Sequence, residues 1–156
     1  MGERPRILIV DDDEGIRTVL ATVLEEKGYT VDTAEYGKEG IEKTKTNLYN
    51  LALIDIRLPD MEGTQVLAKM KDTTPKMRKI IITGFPSVQN SVEALNKGAH
   101  AYIMKPFDMD KALKTVEEQL KKQQEEKKYG QEKVTEYIET RVKELEEKVA
   151  TQEKPR

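Results

Sequence analysis

The sequence predicts an α/β protein in which helices cover both faces of a parallel sheet. Two observations predict this fold. Short apolar runs alternate with helical patterns five times between residues 7 and 120, and the runs at 7–10 and 51–54 are apolar throughout. Uninterrupted apolar strands are typical of parallel sheets that are buried on both faces. We therefore expect one domain over residues 1–120, and the highly charged residues 121–156 predict a helical extension after it.

Each element follows from the spacing of its apolar residues. Residues 7–10 predict the first strand, and apolar residues three and four positions apart over 14–27 predict a helix that Gly28 ends. Alternation over 30–34 predicts an edge strand, and 37–46 predicts a weaker helix. Residues 51–54, 80–82 and 101–104 predict the other strands. Residues 64–71, 87–97 and a segment from Asp108 predict the other helices, with Ser87 as a cap and Gly98 as a stop.

Length, charge and cysteine content exclude several functions. The chain has 156 residues, with 27 Lys and Arg against 29 Asp and Glu, and a net charge of −2. This balance gives no general attraction to nucleic acid or to anionic lipid. The absence of cysteine excludes disulfides and thiolate metal sites. No segment is apolar over a membrane-spanning length, so we expect no membrane partner and a cytoplasmic location.

Polar side chains follow four of the predicted strands, where ligands bind in parallel sheets. They are Asp11, Asp12, Asp13, Asp55, Thr83 and Lys105. Carboxylate oxygens without nearby Cys or His suit a hard cation such as Mg²⁺. A carboxylate nucleophile, a divalent cation, a lysine and a hydroxyl are the parts of a phosphoryl-transfer site. The aspartate run alone also fits a turn that caps a helix. There is no glycine-rich phosphate loop, so nucleotide binding is not indicated.

Four motifs at these strand ends carry a family resemblance. They are VDDDEGIR at 10–17, LIDIRLPDMEG at 53–63, IIITG at 80–84 and YIMKPF at 102–107. With these motifs in this order, residues 6–120 resemble the receiver domain of two-component response regulators. The resemblance implies a flavodoxin-like (βα)5 doubly wound fold, with five parallel strands in the order 2-1-3-4-5.

The resemblance also implies roles for the site residues. Asp55 resembles the phosphoacceptor. Asp11 and Asp12 resemble the acidic pair that holds Mg²⁺, for which Mn²⁺ can substitute, together with Asp55 and the backbone carbonyl of Arg57. Lys105 is expected to pair with a phosphoryl oxygen. Asp13 falls outside the acidic pair, and we expect it to be solvated.

Other positions resemble the family's switch residues. Thr83 and Gly84 are expected to contact the phosphoryl group, with Thr83 moving toward it and Gly84 keeping the approach open. Tyr102 resembles the aromatic partner of that switch, although packing alone also explains an aromatic residue there. Pro106 resembles the family's cis-proline.

The positions two residues after the phosphoacceptor and two after the switch hydroxyl tune hydrolysis of the acyl phosphate in this family. Here they are Arg57 and Phe85. The Phe85 ring has no strong hydrogen-bond acceptor to hold an attacking water. We therefore expect a long-lived phosphorylated form.

The phosphoryl group is expected to come from another protein. The one histidine, His100, lies outside any kinase-like helix and is expected to be an exposed loop residue. The donor would be a histidine kinase or a histidine phosphotransfer protein, and the downstream partner an unknown protein. Three functions stay open: a stand-alone receiver, a receiver module of a larger regulator or hybrid kinase, and a receiver-like scaffold that never takes phosphate and acts through its tail. Without a helix-turn-helix signature or a basic tail, direct nucleic-acid binding is not expected.

The tail at 121–156 predicts a solvated helix that Gly130 kinks. Its apolar residues Ile138, Val142, Leu145 and Val149 are spaced four, three and four positions apart. This heptad spacing predicts a short coiled-coil seam and a weak homodimer.

Overall fold

A five-stranded parallel sheet forms the centre of the fold. The computed structural model describes residues 4–70, 76–84 and 87–153. The strands are β1 (Arg6–Val10), β2 (Thr30–Ala34), β3 (Leu51–Asp55), β4 (Arg78–Thr83) and β5 (Ala101–Met104). Their order across the sheet is β2-β1-β3-β4-β5, and every neighbouring pair is parallel. The predicted fold class and strand order are confirmed.

Helices connect the strands. They are α1 (Glu14–Glu26), α2 (Gly37–Thr46), α3 (Gly63–Lys69), α4 (Val88–Asn96) and α5 (Met109–Glu153). Gly28 follows α1 with a φ of 95°, and Gly98 follows α4 with a φ of 102°. Side chains other than glycine rarely adopt these angles, so both glycines stop their helices as predicted.

Two apolar layers pack on opposite faces of the sheet because successive strand residues point to opposite sides. One layer joins residues such as Leu8 and Ile81 to α2, α3 and α4. The other joins residues such as Ile9 and Ile80 to α1 and to the first part of α5. The central strands are buried from both sides, which explains their uninterrupted apolar sequence.

His100 is half-buried, whereas the sequence predicted an exposed loop residue. Its Nδ1 accepts a hydrogen bond from the backbone N–H of Lys79 at 3.0 Å. Its own backbone N–H donates to the Lys79 carbonyl at 2.7 Å. These two bonds extend the contact between the neighbouring strands β4 and β5 by one residue, so the imidazole has a structural role.

The chain divides into two compact units, Met1–Gln123 and Gln124–Arg156. Gln123 is buried and closes the first unit. Its side-chain N–H groups donate to the carbonyls of Asn50 at 2.9 Å and Lys76 at 2.8 Å. The described part of the second unit is helical, and Gly130 does not interrupt the helix. None of the helices in the described ranges could cross a membrane.

Candidate functional site

The carboxyl ends of four adjacent strands bring the predicted site residues to one edge of the sheet. Asp11 directly follows β1, Asp55 ends β3, Thr83 ends β4 and Lys105 directly follows β5. Asp11 is 2% exposed, Asp55 7% and Thr83 0%. Charged groups this deeply buried require close partners.

Lys105 supplies that partner for both buried carboxylates. Its Nζ lies 2.9 Å from Asp11 Oδ2 and 3.2 Å from Asp55 Oδ2. The backbone N–H of Arg57 donates to the other oxygen of Asp55, Oδ1, at 3.3 Å. The lysine therefore bridges two aspartates from strands that lie side by side in the sheet.

Burial and charge shift the ionisation of this group. Burial raises the pKa of Asp55, and the negative charge of Asp11 raises it further, while Lys105 and the Arg57 N–H oppose both effects. Burial lowers the pKa of Lys105, but its hydrogen bonds to Asp11 and Asp55 and their charges outweigh this, so its pKa is raised. Lys105 is therefore a firmly held cation beside a carboxylate that is costly to ionise.

The acidic cluster fits a divalent cation. Asp11, Asp12 and Asp55 each offer a carboxylate oxygen, and the three oxygens lie within 4.8 Å of one another. One lysine cannot neutralise three carboxylates, so a bound hard cation would relieve the repulsion. Oxygen ligands of this kind are the ones that Mg²⁺ prefers.

The third aspartate of the run has a different role. Asp13 caps α1, because its Oδ1 accepts a hydrogen bond from the Ile16 N–H at 3.1 Å. Its own N–H donates to Asp11 Oδ1 at 2.9 Å and helps to orient that carboxylate. Asp13 is exposed, as predicted, but the helix-cap interpretation of the aspartate run also holds at this residue.

No role was predicted from the sequence for Gly63, which lies at the start of α3. A Cβ at this position would lie 2.2 Å from the Asp55 carbonyl oxygen and 2.9 Å from Ile56 Cα. The Gly63 N–H also donates to the Ile56 carbonyl at 2.7 Å. Only glycine allows α3 to begin this close to the backbone that carries Asp55. The motif LPDMEG contains this glycine, but the close approach of its backbone to that of Asp55 depends on three-dimensional packing.

Asp60 fixes the same loop to α2. Its two carboxylate oxygens accept hydrogen bonds from the backbone N–H groups of Gly37 at 2.8 Å and Lys38 at 2.9 Å. These bonds, the one from Lys38 first, lower the pKa of Asp60. The loop that follows Asp55 is thus held at two places, at Asp60 within the loop and at Gly63 where α3 begins.

The predicted switch residues lie on β4 and β5. Thr83 is fully buried, and the backbone N–H of Lys105 donates to its carbonyl at 2.6 Å. Tyr102 is partly buried, and its hydroxyl oxygen is buried with no hydrogen-bond partner among the described residues. A Cβ on Gly84 would meet Lys105 Cβ at 3.7 Å, an ordinary contact, so packing does not require glycine there.

Three further predictions have different outcomes. The Lys105–Pro106 peptide bond is cis. Arg57 contacts Asp55 through its backbone N–H, and its carbonyl as a metal ligand stays a prediction. Phe85 lies outside the described residues.

A doubly wound sheet with an acidic, lysine-bridged cluster at its strand ends places the chain in the flavodoxin-like class of folds. The family model described as the response regulator receiver domain matches residues 7–117, and the chain belongs to this family.

Several relatives agree with this assignment. The transcriptional regulatory protein ZraR of Klebsiella oxytoca is 40% identical over 119 residues, which are 76% of this chain and 27% of that protein. The uncharacterized transcriptional regulatory protein YkoG of Bacillus subtilis is 36% identical over 111 residues, 71% of this chain and 49% of that protein. The chain thus spans a quarter to a half of the length of these relatives.

Solved structures agree as well. The CheY-like receiver domain protein of Methanospirillum hungatei JF-1 has a TM-score of 0.77 and 47% identity, over 80% of this chain and 99% of that one. The beryllofluoride-activated NtrC4 receiver domain has a TM-score of 0.70 and 35% identity, over 76% of this chain and 98% of that one. The protein is therefore a signalling receiver of a two-component system. Receivers of this family bind Mg²⁺ in an acidic pocket and take phosphate from a histidine kinase.

Proposed function

We propose that Asp55 is the phosphoacceptor and takes its phosphoryl group from a phosphohistidine of a histidine kinase or a histidine phosphotransfer protein. The observation that supports this best is the pair of contacts on its carboxylate. Lys105 Nζ lies 3.2 Å from Oδ2, and the Arg57 N–H lies 3.3 Å from Oδ1. Asp55 is held in one orientation at the sheet edge, where incoming ligands bind.

The reaction is a direct phosphoryl transfer. A carboxylate oxygen of Asp55 attacks the phosphorus, the new O–P bond forms, and the N–P bond of the phosphohistidine breaks with the electron pair leaving on the imidazole nitrogen. Lys105 places a positive charge beside the position of the phosphoryl oxygens and stabilises their negative charge. Burial of Asp55 raises its pKa, which makes the ionised carboxylate a stronger nucleophile.

Mg²⁺ would be held by Asp11, Asp12 and Asp55, with the Arg57 carbonyl as a further ligand, and Mn²⁺ would substitute for it. The bound ion supplies neutralising charge for the phosphoryl oxygens. The same site would allow the chain to phosphorylate itself from a small phosphodonor and to lose the phosphoryl group slowly to water.

A groove beside the site offers a surface for the phosphodonor protein. It is lined by apolar side chains at the start of α1 and after β5, namely Ile16, Val19, Pro106, Phe107 and Met109, with Lys105 at its edge. An apolar surface next to the nucleophile would let a donor protein dock and present its phosphohistidine.

Phosphorylation would shift an equilibrium between two arrangements of Thr83 and Tyr102 and so change the surface of α4, β5 and α5. Among the described residues the buried hydroxyl oxygen of Tyr102 has no hydrogen-bond partner, which fits a side chain with a second arrangement. Val92, Leu95 and Met104 are exposed apolar residues on that surface and would contact a downstream protein. With beryllofluoride as a phosphoryl mimic, amide exchange should change in α4 and β5, and unchanged exchange there would refute the switch.

Phosphorylation by acetyl phosphate tests the central proposal. With Mg²⁺, intact-mass measurement should show one phosphoryl group on the wild-type chain and none on Asp55→Asn. Asp110→Asn, an exposed aspartate at the start of α5, is the matched control and should be phosphorylated at the wild-type rate. Phosphorylation of Asp55→Asn at the wild-type rate would refute the assignment.

A second candidate follows from the longer relatives. In them the matching segment is only 27% to 49% of the protein. The same receiver chemistry would then serve as one module of a larger regulator or hybrid kinase. A reading frame that continues on either side of these residues into an output or kinase domain would support this candidate, and a reading frame that encodes no further domain on either side would refute it.

A further inference from the structure

The second unit carries an apolar seam, formed by Ile138, Val142, Leu145 and Val149. Their exposed fractions are 54%, 48%, 51% and 50%. They lie on one side of α5, because spacings of four, three and four bring successive residues to the same face of a helix. Each gains free energy if a partner covers it.

The residue types in the seam fit a two-stranded coiled coil. In heptad positions, Val142 and Val149 occupy a, and Ile138 and Leu145 occupy d. Valine at a with leucine at d, as in the heptad from Val142 to Val149, favours two parallel strands over three or four, whereas isoleucine at d, as at Ile138, does not. Position a of the preceding heptad is Thr135, which is polar, so the seam is short.

The charges beside the seam select the partner and its direction. Glu139 and Glu146 occupy position e, and Arg141 and Lys148 occupy position g. In a parallel pair in register, position g of one helix faces position e of the other, five residues further along. Arg141 of one copy then faces Glu146 of the second copy, twice by symmetry. We infer that the tail binds the tail of a second copy of this chain, parallel and in register.

The opposite orientation would bring like charges together. In an antiparallel pair, position e faces e and position g faces g. Glutamates would then lie against glutamates and basic residues against basic residues, which is unfavourable. The same charges that support the parallel dimer therefore disfavour the antiparallel one.

Contacts within the helix do not compete strongly with this pairing. Arg141 Nη1 lies 3.1 Å from Glu144 Oε2 in the same helix, with both side chains more than half exposed. Exposed pairs of this kind contribute little to stability. The association is weak because the seam has only four apolar layers and buries little apolar surface.

Charge exchange in the full chain tests the orientation. Glu153 also occupies position e, five residues after Lys148. The basic variant therefore carries Glu139→Lys, Glu146→Lys and Glu153→Lys, the acidic variant carries Arg141→Glu and Lys148→Glu, and the exchanged variant carries all five substitutions. Sedimentation should show a weak wild-type dimer and a dissociation constant raised about tenfold in the basic and acidic variants. The exchanged variant should dimerise as wild type does, because its g and e positions again carry opposite charges.

Cross-linking tests the register independently. The chain has no cysteine, so Val149→Cys introduces a single thiol. In a parallel dimer the two thiols face each other, and oxidation should give a covalent dimer. An antiparallel dimer would instead cross-link only a mixture of Val149→Cys and Ile138→Cys chains.

Two results would overturn the inference. One is a wild-type chain that is monomeric at its highest soluble concentration, both with and without beryllofluoride. The other is equal association of all four charge forms, or cross-linking only in the mixed sample.

Discussion

At the scale of single residues, the aspartate run shows how neighbouring carboxylates take different roles. β1 ends at Val10 and α1 begins at Glu14, so the run spans the short connection between a buried strand and an exposed helix end. Asp11 points into the site and pairs with Lys105 at 2.9 Å, Asp12 is exposed within the acidic cluster, and Asp13 caps α1.

Gly63 should be intolerant of even the smallest side chain. Gly63→Ala places a Cβ against the Asp55 carbonyl, 2.2 Å away in the present backbone, so the loop must shift. We expect the free energy of unfolding to fall by about 1–3 kcal/mol and phosphorylation of Asp55 to slow. Urea unfolding and acetyl phosphate kinetics measure the two effects.

Gly130→Ala is the matched control, because a Cβ there meets nothing within 4 Å. It should stabilise the helix by about 0.5–1 kcal/mol and leave phosphorylation unchanged. A Gly63→Ala chain as stable and as fast as wild type would show that the close approach to Asp55 is not required.

The lifetime of the phosphorylated form should depend on Arg57 and Phe85. A carboxylate or an amide at these positions can hold the attacking water in line, whereas the Phe85 ring cannot. Phe85→Glu combined with Arg57→Asn should speed decay of the purified phosphoprotein about tenfold, equivalent to about 1.4 kcal/mol of barrier. An unchanged or slower decay would show that these side chains do not control water access.

At the scale of helices and strands, the two exposed aspartates before α1 should separate stability from chemistry. Asp13→Ala removes the N-cap bond to Ile16 and should lower the free energy of unfolding by about 1 kcal/mol, with Mg²⁺-dependent phosphorylation retained. Asp12→Ala should keep the stability and lose most phosphorylation together with its Mg²⁺ dependence. Denaturant unfolding and acetyl phosphate kinetics measure the two effects. We expect lost stability with retained phosphorylation in Asp13→Ala, and retained stability with lost phosphorylation in Asp12→Ala. The same result in both variants would contradict the separate roles of cap and metal ligand.

Most elements were predictable from the sequence because local patterns determine them. The bounds predicted for β2, α2 and β5 agree with the structure, and the apolar runs of the central strands identified their burial. The limits of other elements depend on packing. Leu120 is the last apolar residue before the charged tail, but the first unit extends to Gln123 because that side chain bonds to Asn50 and Lys76.

The site was predictable to a similar extent. Residues that directly follow apolar strands had to converge in a parallel sheet, so Asp11, Asp55 and Lys105 could be placed together. The sequence could not give the contact between Gly63 and the Asp55 backbone or the hydrogen bond between His100 and Lys79. Both depend on how separate segments pack against each other.

At the scale of the whole receiver, charged groups affect stability in opposite directions. Arg6 Nη2 and the Tyr49 hydroxyl contact Asp32 Oδ2 at 2.9 Å and 2.7 Å. Burial raises the pKa of Asp32, but these hydrogen bonds and the Arg6 charge outweigh it and hold that pKa below its usual value. Asp55 is the opposite case, since its pKa is raised by burial and by Asp11.

These shifts give a pH dependence of defined sign. A lowered folded-state pKa means that Asp32 stabilises the fold above its unfolded-state pKa and that this stability is lost as the pH falls through the folded-state pKa. Asp55 has a raised folded-state pKa, so its ionisation is less favourable in the folded chain than in the unfolded chain. The free energy of unfolding therefore falls as the pH rises from the unfolded-state pKa of Asp55 through its folded-state pKa. Without Mg²⁺ at neutral pH, Asp55→Asn should therefore be more stable than wild type and Asp32→Asn less stable.

Denaturant unfolding across the acidic pH range, with chelator present, measures both effects. The difference between Asp55→Asn and wild type should shrink as the pH falls. Added Mg²⁺ should stabilise wild type more than Asp55→Asn, because binding to the folded state alone adds stability. An Asp55→Asn chain that is less stable than wild type at neutral pH without metal would contradict the charge account.

The identity of the phosphorylated residue is the most direct test of the central claim. Borohydride reduces an acyl phosphate and leaves homoserine in place of the phosphorylated aspartate. After treatment with acetyl phosphate and Mg²⁺, reduction and proteolysis, peptide sequencing by mass spectrometry should find homoserine at position 55 and aspartate at positions 11, 12 and 13. Homoserine at any of those three positions, or aspartate at 55 in a chain that has gained a phosphoryl group, would contradict the assignment of Asp55.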